Sequence, residues 1–419
     1  MTFWNKIKLG EIATITSSKR IFANEYQTEG IPFYRGKEII EKHNGNNVST
    51  ELYISRQKYE EIKSKFDVPK TGDILLSSVG TLGVPWLVDE EEFYFKDGNL
   101  TWLRCNEKVT CEFLYLWLNS PEAKNQINAM CIGSTQKALT IETLKKFVVT
   151  LPTLKIQKNI VNVINPIEKK IRVNAEINRN LSEQAESLFQ SWFVDYEHFG
   201  GVCPEDWKEG VLEDVVDFYN GYAFKSNELL DVPDHDNECY HVFKQGHIRR
   251  GGGFNISGTR SWFLKKNAEK LNKYVLHKGD ILMAMTDMKN NVAILGNTAV
   301  MEMDDTYILN QRVALLRTTG KYGIDYPFIS LLTNSIDFVS DLRSRANSGV
   351  QVNLSATEIK NSKLMIPSVE VNKEFNSLVK PLFETMIEHD LENLHLVELR
   401  NTLLPKLMSG ELNVSDLYI

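Results

Sequence analysis

Between positions 160 and 192, apolar residues recur at alternating steps of four and three: Ile160, Ile164, Ile167, Ile171, Leu181, Ala185, Leu188 and Trp192. Polar Asn174 and Asn178 take the two missing steps. That period predicts a helix with a narrow seam facing a partner helix, because a lone surface helix carries a wider apolar face. The seam returns at Phe375, Val379, Leu382, Met386, His389, Asn393, Leu396, Arg400, Leu403 and Leu407, each 215 residues after its counterpart. His389 and Asn393 repeat the polar gap, and Pro381 repeats Pro166. The two helices are therefore expected to pack on each other. With short connections they run antiparallel, which sets Asn174 beside Asn393 and Asn178 beside His389. The stretch from Ile160 to Trp192 covers 32 steps, so such a pair is roughly 50 Å long at about 1.5 Å per residue.

The segments outside the helices also repeat. Trp4-x4-Leu9-x2-Ile12 returns as Trp207-x4-Leu212-x2-Val215, and Gly72-Asp73-Ile74-Leu75 as Gly279-Asp280-Ile281-Leu282. Phe113-Leu114-x-Leu116-x2-Asn119-Ser120 returns as Phe328-Ile329-x-Leu331-x2-Asn334-Ser335, and Leu151-Pro152 as Ile366-Pro367. Collinear order makes this an internal duplication, with a period too long for a solenoid. Within the first copy, residues 7–16 and 72–77 read as short strands, and 86–88 and 100–103 as extended. Residues 111–129 read as one helix interrupted by Pro121, and 141–146 as a short helix capped by Thr140. Gly200-Gly201 followed by Pro204 marks the hinge into the second copy, and Gly410 ends the last helix. The expected fold class is α+β. Its parts are a first domain at 1–152, a central helix at 153–199, a second domain at 200–366, and a C-terminal helix and tail at 367–419.

Composition fits a globular chain, with 42% apolar and 25% charged residues. No apolar run approaches membrane-spanning length, and the N-terminus lacks a signal-peptide pattern. The five cysteines, Cys105, Cys111, Cys131, Cys203 and Cys239, are scattered without a Cys-x-x-Cys. Reduced thiols in the cytoplasm and no structural zinc are expected. A net charge of −7 weighs against a chain that grips nucleic acid alone, but not against a local basic face.

Catalytic signatures fail. Gly30 to Glu38 has five residues between its glycines where a phosphate loop has four, and Glu38 stands where Ser or Thr must hold magnesium. Asn165-Pro166-Ile167-Glu168 lacks the second proline and the aromatic of an amino-methyltransferase motif. No Glu-x-Lys follows Pro233-Asp234 at close range, no His-Glu-x-x-His occurs, and the histidines are scattered, so no metal site is expected.

Polar and basic residues do cluster in the repeated loops. The first copy offers Arg35 and Lys37, then Ser78 and Thr81, then Gln136 and Lys137. The second offers Lys244 and Gln245, Arg249 and Arg250 before Gly251-Gly252-Gly253, Lys289 and Asn290, then Gln351 and Asn353. Such side chains read base edges through paired hydrogen bonds, and glycines let a backbone approach phosphate. Ordinary solvated loops are the alternative for any one of them.

Four stretches carry a resemblance to the specificity subunits of type I restriction-modification enzymes. Leu188-Phe189-Gln190-Ser191-Trp192-Phe193-Val194-Asp195-Tyr196-Glu197 is similar to the end of that family's central conserved region. Leu399-Arg400-x3-Leu404-Pro405-Lys406-Leu407-Met408-Ser409-Gly410-Glu411-Leu412 is similar to its C-terminal end. The paired Gly-Asp-Ile-Leu strands, and Gly133-Ser134-x-Gln136-Lys137-x-Leu139-Thr140, resemble its recognition domains. The Leu-Pro-Pro-Leu-x-x-Gln that often precedes its first helix is here Leu151-Pro152-Thr153-Leu154-Lys155-Ile156-Gln157. The resemblance implies a non-catalytic chain whose two recognition domains each read one part of a split target in double-stranded DNA. It implies helices that act as spacer and docking site for two modification subunits, which use S-adenosylmethionine, and a restriction subunit that joins to cleave. This chain itself is expected to hold no cofactor. Two other readings stay open on the residues alone: a protein-binding scaffold with two adaptor domains on a coiled coil, or a chain with its own methyltransferase or nuclease activity.

Overall fold

Two helices of unusual length, Leu154–Phe189 and Val369–Ser409, dominate the computed structural model, which describes residues 4–45, 48–130, 138–288, 292–348 and 351–414. Two units divide the chain. One comprises Met1–Ala175 and Glu392–Ile419, the other Glu176–Leu391. Each unit therefore holds one globular domain and a stretch of both helices, and the architecture is mixed helix and sheet.

Among the sheets of each unit, one has four antiparallel strands in the same order. In the first these are Ala13–Thr16, Leu100–Cys105, Ile74–Ser77 and Pro85–Leu87. In the second they are Val216–Asn220, Val313–Thr318, Ile281–Ala284 and Thr298–Val300. The Gly-Asp-Ile-Leu runs form a central strand covered on both faces, which is why they are continuously apolar. Ile281 and Met283 pack into one core, with Leu316 and Phe328, while Leu282 and Ala284 pack into another, with Phe243 and Leu315. A second antiparallel pair ties each domain's first strand to the strand before its following helix. Asn5–Lys8 pairs with Val148–Leu151, and Lys208–Val211 with Lys363–Ile366.

The segment at 7–16 is two strands separated by a 3-10 turn at Leu9–Glu11. The helix expected over 111–129 is two helices, Cys111–Asn119 and Pro121–Met130. Pro121 cannot donate the next helical hydrogen bond, so it starts a helix more easily than it continues one. Thr140 caps Ile141–Lys145 by accepting from the Thr143 N–H (3.1 Å), and Gly410, at φ 73°, follows the last helical residue. The expectation of reduced thiols is corrected for one pair. Cys105, ending a strand, and Cys111, starting a helix, are joined as a disulfide with their Cα atoms 5.6 Å apart. The intervening turn brings them together, a proximity their spacing did not announce.

A buried amide anchors each long helix to the domain before it. Gln157 Nε2 donates to the carbonyls of Lys108 (3.0 Å) and Pro152 (2.9 Å). Asn372, 215 residues later, donates through Nδ2 to the carbonyls of Tyr322 (3.0 Å) and Pro367 (3.2 Å). Both side chains are almost fully buried.

The helices run antiparallel in both units. Within the first unit Ile160 and Ile164 share a core with Leu404 and Leu407, and Asn174 Nδ2 donates to Asn393 Oδ1 (3.0 Å) and Glu392 Oε2 (2.7 Å). Ion pairs flank this contact at Arg400–Glu168 (3.1 Å) and Lys170–Glu392 (3.1 Å). Within the second unit Ala185, Phe189 and Trp192 share a core with Phe375, Val379 and Phe383. There Asn178 Nδ2 donates to Asp390 Oδ1 and the Met386 carbonyl (both 3.0 Å), while its Oδ1 lies 2.9 Å from His389 Nδ1. The polar steps thus meet each other, the arrangement by which buried polar residues fix register. Away from the middle the seam is wider than its period suggests. Phe189, Phe383, Ile387, Leu404 and Met408 are buried beside it, mostly in cores shared with the globular domains. Ile167, Ile171, Leu181, Leu188, Leu382, Leu396 and Leu403 stay half-buried.

Candidate nucleic-acid interface

In the second unit, loops far apart in sequence come together at the end of the central strand. Thr286–Met288 pairs antiparallel with Gln351–Asn353, and Asn347–Ser348 pairs on the far side of Gln351–Asn353. The Leu354 N–H donates to the Met285 carbonyl (2.8 Å). Gln245 reaches the same place, its amide donating to Thr286 Oγ1 (2.6 Å) and the Thr286 carbonyl. Asp287 organises the following loop. Its carboxylate accepts from the N–H groups of Met288 (2.8 Å), Ala293 (2.7 Å), Ile294 (2.7 Å) and Leu295 (3.2 Å). Burial alone would raise its pKa, but these donors hold it below the usual carboxylate value. Arg343 secures the loop's far end through the carbonyls of Leu295 (2.9 Å) and Ala293 (3.3 Å). Gln351 and Asn353 are exposed here, and Lys244 is half-buried beside Gln245. Lys289 and Asn290 lie outside the described residues.

The same junction exists in the first unit with less strand. Val79 bridges Ala138, and the Leu139 N–H donates to the Ser78 carbonyl (2.9 Å). Thr81 is exposed beside it, while Gln136 and Lys137 lie outside the described residues. Ser78 corrects the sequence reading. Its side chain is 3% exposed and its hydroxyl bonds Thr101 Oγ1 (2.6 Å), so it braces the sheet and does not reach outward. Arg35 and Lys37 open the helix Gly36–His43 at another edge of the domain. Arg35 is held by buried Glu38 (2.8 Å), and the Lys37 amine donates to Ser49 Oγ (3.0 Å) and pairs with Glu41 (3.7 Å). Both cations remain partly exposed.

Arg249 and Arg250 are exposed on a loop closed by Gly251, Gly252 and Gly253, all at positive φ. At Gly252 a Cβ would lie 2.5 Å from the Asn334 side chain, so both φ and space require glycine there. Arg249 stands in the field of two carboxyl groups, Glu302 and Asp390, that sequence reasoning missed. Glu302 is 8% exposed. Burial first, and the nearby charge of Asp390 second, push its pKa up to about 8, with Arg249 opposing. Burial also raises Asp390, against the Arg249 charge and the Asn178 hydrogen bond. Elsewhere in the domain, buried His247 has its pKa depressed to about 4 by burial and by the neighbouring His241. A glutamate in an apolar stretch such as Met301-Glu302-Met303 was the available signal. Among the described residues no three His, Cys, Asp or Glu gather as they would around a metal, and no helix is long and apolar enough to cross a membrane.

Among known proteins, the family described as "Type I restriction modification DNA specificity domain" matches residues 1–183 and 204–395. The Type I restriction enzyme HindI specificity subunit of Haemophilus influenzae is 23% identical over 98% of this chain and 100% of its own length. The MjaIX specificity subunit of Methanocaldococcus jannaschii is 24% identical over 98% and 94%. A putative specificity subunit of Haemophilus influenzae is 34% identical, over 39% of this chain and 40% of its own length. In fold, the chain is similar to the S subunit of the type I restriction-modification system from M. genitalium, with a TM-score of 0.61 at 18% identity, covering 96% of each chain.

Proposed function

The chain belongs to the type I restriction-modification DNA-specificity family, and from that membership we infer how its two domains divide the work. It is the DNA sequence-recognition subunit of such a system, and non-catalytic. We propose that each domain reads one part of a split target. The observation that carries this is the repeated junction where the central strand's end meets the 138–139 segment in one unit and the 351–354 segment in the other. In the second unit the junction sets exposed Gln351 and Asn353 on paired strands, and in the first it sets exposed Thr81 beside the bridge of Val79 to Ala138. In the second unit Asn353, Gln351 and Lys244 are the readers, and Arg249 and Arg250, on their glycine loop, are further DNA contacts. In the first, Thr81 reads together with Gln136 and Lys137, which precede residue 138 in sequence, and Lys37 and Arg35 are phosphate contacts. Modification and cleavage fall to partners. Two modification subunits, bearing S-adenosylmethionine, dock along the helices, a restriction subunit joins for cleavage, and the complex works in the cytoplasm. The acidic net charge of this chain supports a shared grip on DNA, since phosphate affinity needs Lys and Arg in excess. The helix pair is the spacer between the two half-sites.

Methylation mapping by the chain reconstituted with its modification subunit tests this reading. Asn353→Ala with Gln351→Ala should relax one half-site by roughly 1–3 kcal/mol per lost base contact and leave the other half-site intact. Equal loss at both halves, or no methylation at any split site with wild-type chain, refutes it.

A further inference from the structure

The second unit contains an open cleft of about 580 Å³ where the end of the first long helix meets the helices Tyr326–Asn334 and Ile336–Ser344. Phe193, Phe328, Leu332, Phe338 and Met365 line it, with Asp337 among its polar residues. The internal duplication supplies a comparison for this position, in which Ala123, Leu404 and Met408 of the first copy stand where the second has the bulkier Phe338, Phe189 and Phe193. At the offset of 215 that relates the two copies, Leu332, Asp337 and Met365 correspond to Trp117, Glu122 and Thr150. In the first unit the Trp117 ring is fully buried in the core that includes Leu404 and Met408, the counterparts of Phe189 and Phe193. Its Nε1–H donates to Glu122 Oε2 (3.2 Å), and the other oxygen of Glu122 accepts from Thr150 Oγ1 (3.1 Å). Trp117, Glu122 and Thr150 thus form a bonded set around a buried indole, while their counterparts in the second unit line a cleft.

We propose that the cleft of the second unit receives an aromatic side chain, an indole by preference, presented by a partner subunit of the complex, with its N–H donated to Asp337. This rests on the reading of the chain as one subunit of an assembly. Two features favour a polypeptide over a small molecule. A cavity of about 150 Å³ already holds a benzene ring, so this cleft has room for a ring and the chain that carries it. Ile336, next to Asp337 in sequence, is 87% exposed, an apolar side chain of the kind that contacts between proteins cover. Buried aromatic anchors in such pockets dominate binding energy between proteins.

The test uses the full chain, with N-acetyl-tryptophanamide as the probe and N-acetyl-leucinamide as the control, followed by ligand-observed NMR. A second titration measures assembly with the modification subunit. Wild-type chain should bind the tryptophan probe in preference to the leucine control. Leu332→Trp, which plugs the cleft from within, should lose the probe and weaken assembly by about tenfold or more. Met365→Trp plugs it from the opposite wall and should do the same, so a misfolded first variant does not decide the outcome. The proposal is overturned if wild type does not bind the probe, if the plugged chains bind it equally, or if they assemble as tightly as wild type. Methylation mapping reads DNA recognition separately, so failure here leaves that reading standing.

Discussion

The aspartate of the Gly-Asp-Ile-Leu strand does the same local work in both units and different long-range work in each. Asp73 and Asp280 both close their own turn, accepting from the N–H of Lys70 (2.9 Å) and of His277 (2.8 Å). Across the sheet, Asp73 accepts from the Trp102 indole (2.9 Å), whereas Asp280 is gripped by both nitrogens of the Arg317 fork (2.7 and 2.6 Å). The first bond is neutral-to-charged. The second is a bidentate ion pair that raises the arginine pKa, chiefly through that hydrogen bonding. A duplicated motif therefore keeps what the backbone needs, and the partners supplied by neighbouring strands diverge.

Arg317→Leu should set the two units furthest apart. It leaves the Asp280 side chain, 4% exposed, without its counterion, at a cost of about 3–4 kcal/mol to the second unit. The matching change, Trp102→Phe, removes one hydrogen bond to the aspartate and trims a buried ring that lies under Arg104, and should cost the first unit less, about 1–2 kcal/mol. Hydrogen exchange read by mass spectrometry follows the two units separately. Equal losses would mean that the two aspartates are interchangeable. Trp117→Leu gives the first unit the residue the second already carries, and should cost it about 3 kcal/mol by leaving a cavity. An unchanged exchange pattern in residues 111–130 would show that the ring is not a filler.

A buried carboxyl sets the units apart in their response to pH. Matching the edge strands Pro85–Leu87 and Thr298–Val300 makes Asp89 the counterpart of Glu302. Asp89 is exposed and pairs with Lys42 (3.3 Å), whereas Glu302 is buried with its pKa pushed up to about 8 from an ordinary 4.5. A raised folded pKa gives stability that is complete below the unfolded value and is lost as pH rises through the folded one. The depressed His247 acts in the opposite sense below about pH 6.5, so Glu302 should weaken the second unit mainly between about pH 6.5 and 8. Glu302→Gln should flatten that slope and stabilise this unit by about 2–3 kcal/mol at about pH 7.5, with no gain at about pH 4. A slope that survives the substitution would assign it to other groups.

The smallest difference between the units is expected from the Cys105–Cys111 disulfide. The matching positions in the second unit's strand and helix are Thr318 and Tyr326. The bond closes a short loop, so reduction should cost the first unit about 2 kcal/mol at most and the second nothing. Hydrogen exchange with and without dithiothreitol measures this, and Cys105→Ser should mimic the reduced state. Equal loosening of both units on reduction would place the effect elsewhere.

Period and spacing alone were enough to establish the duplication, the two long helices and the pairing of their polar steps. Period is a local property of one helix, and antiparallel packing turns it into register, so Asn174 meets Asn393 and Asn178 meets His389. The family was legible for the same reason, because its motifs lie at helix ends and strand starts. Which polar loop residues face outward was settled instead by long-range contacts. Ser78 turns in to Thr101, 23 residues away, and Gln245 turns to Thr286, 41 residues away. Asp287, part of one polar cluster but not chosen as a reader, turns in to accept from Ala293 and Ile294. A loop side chain has no period to betray its direction, because that direction is set by partners distant in the chain. The same holds for the open cleft beside Leu332, which becomes visible only when the buried ring of Trp117 shows what the matching position can hold.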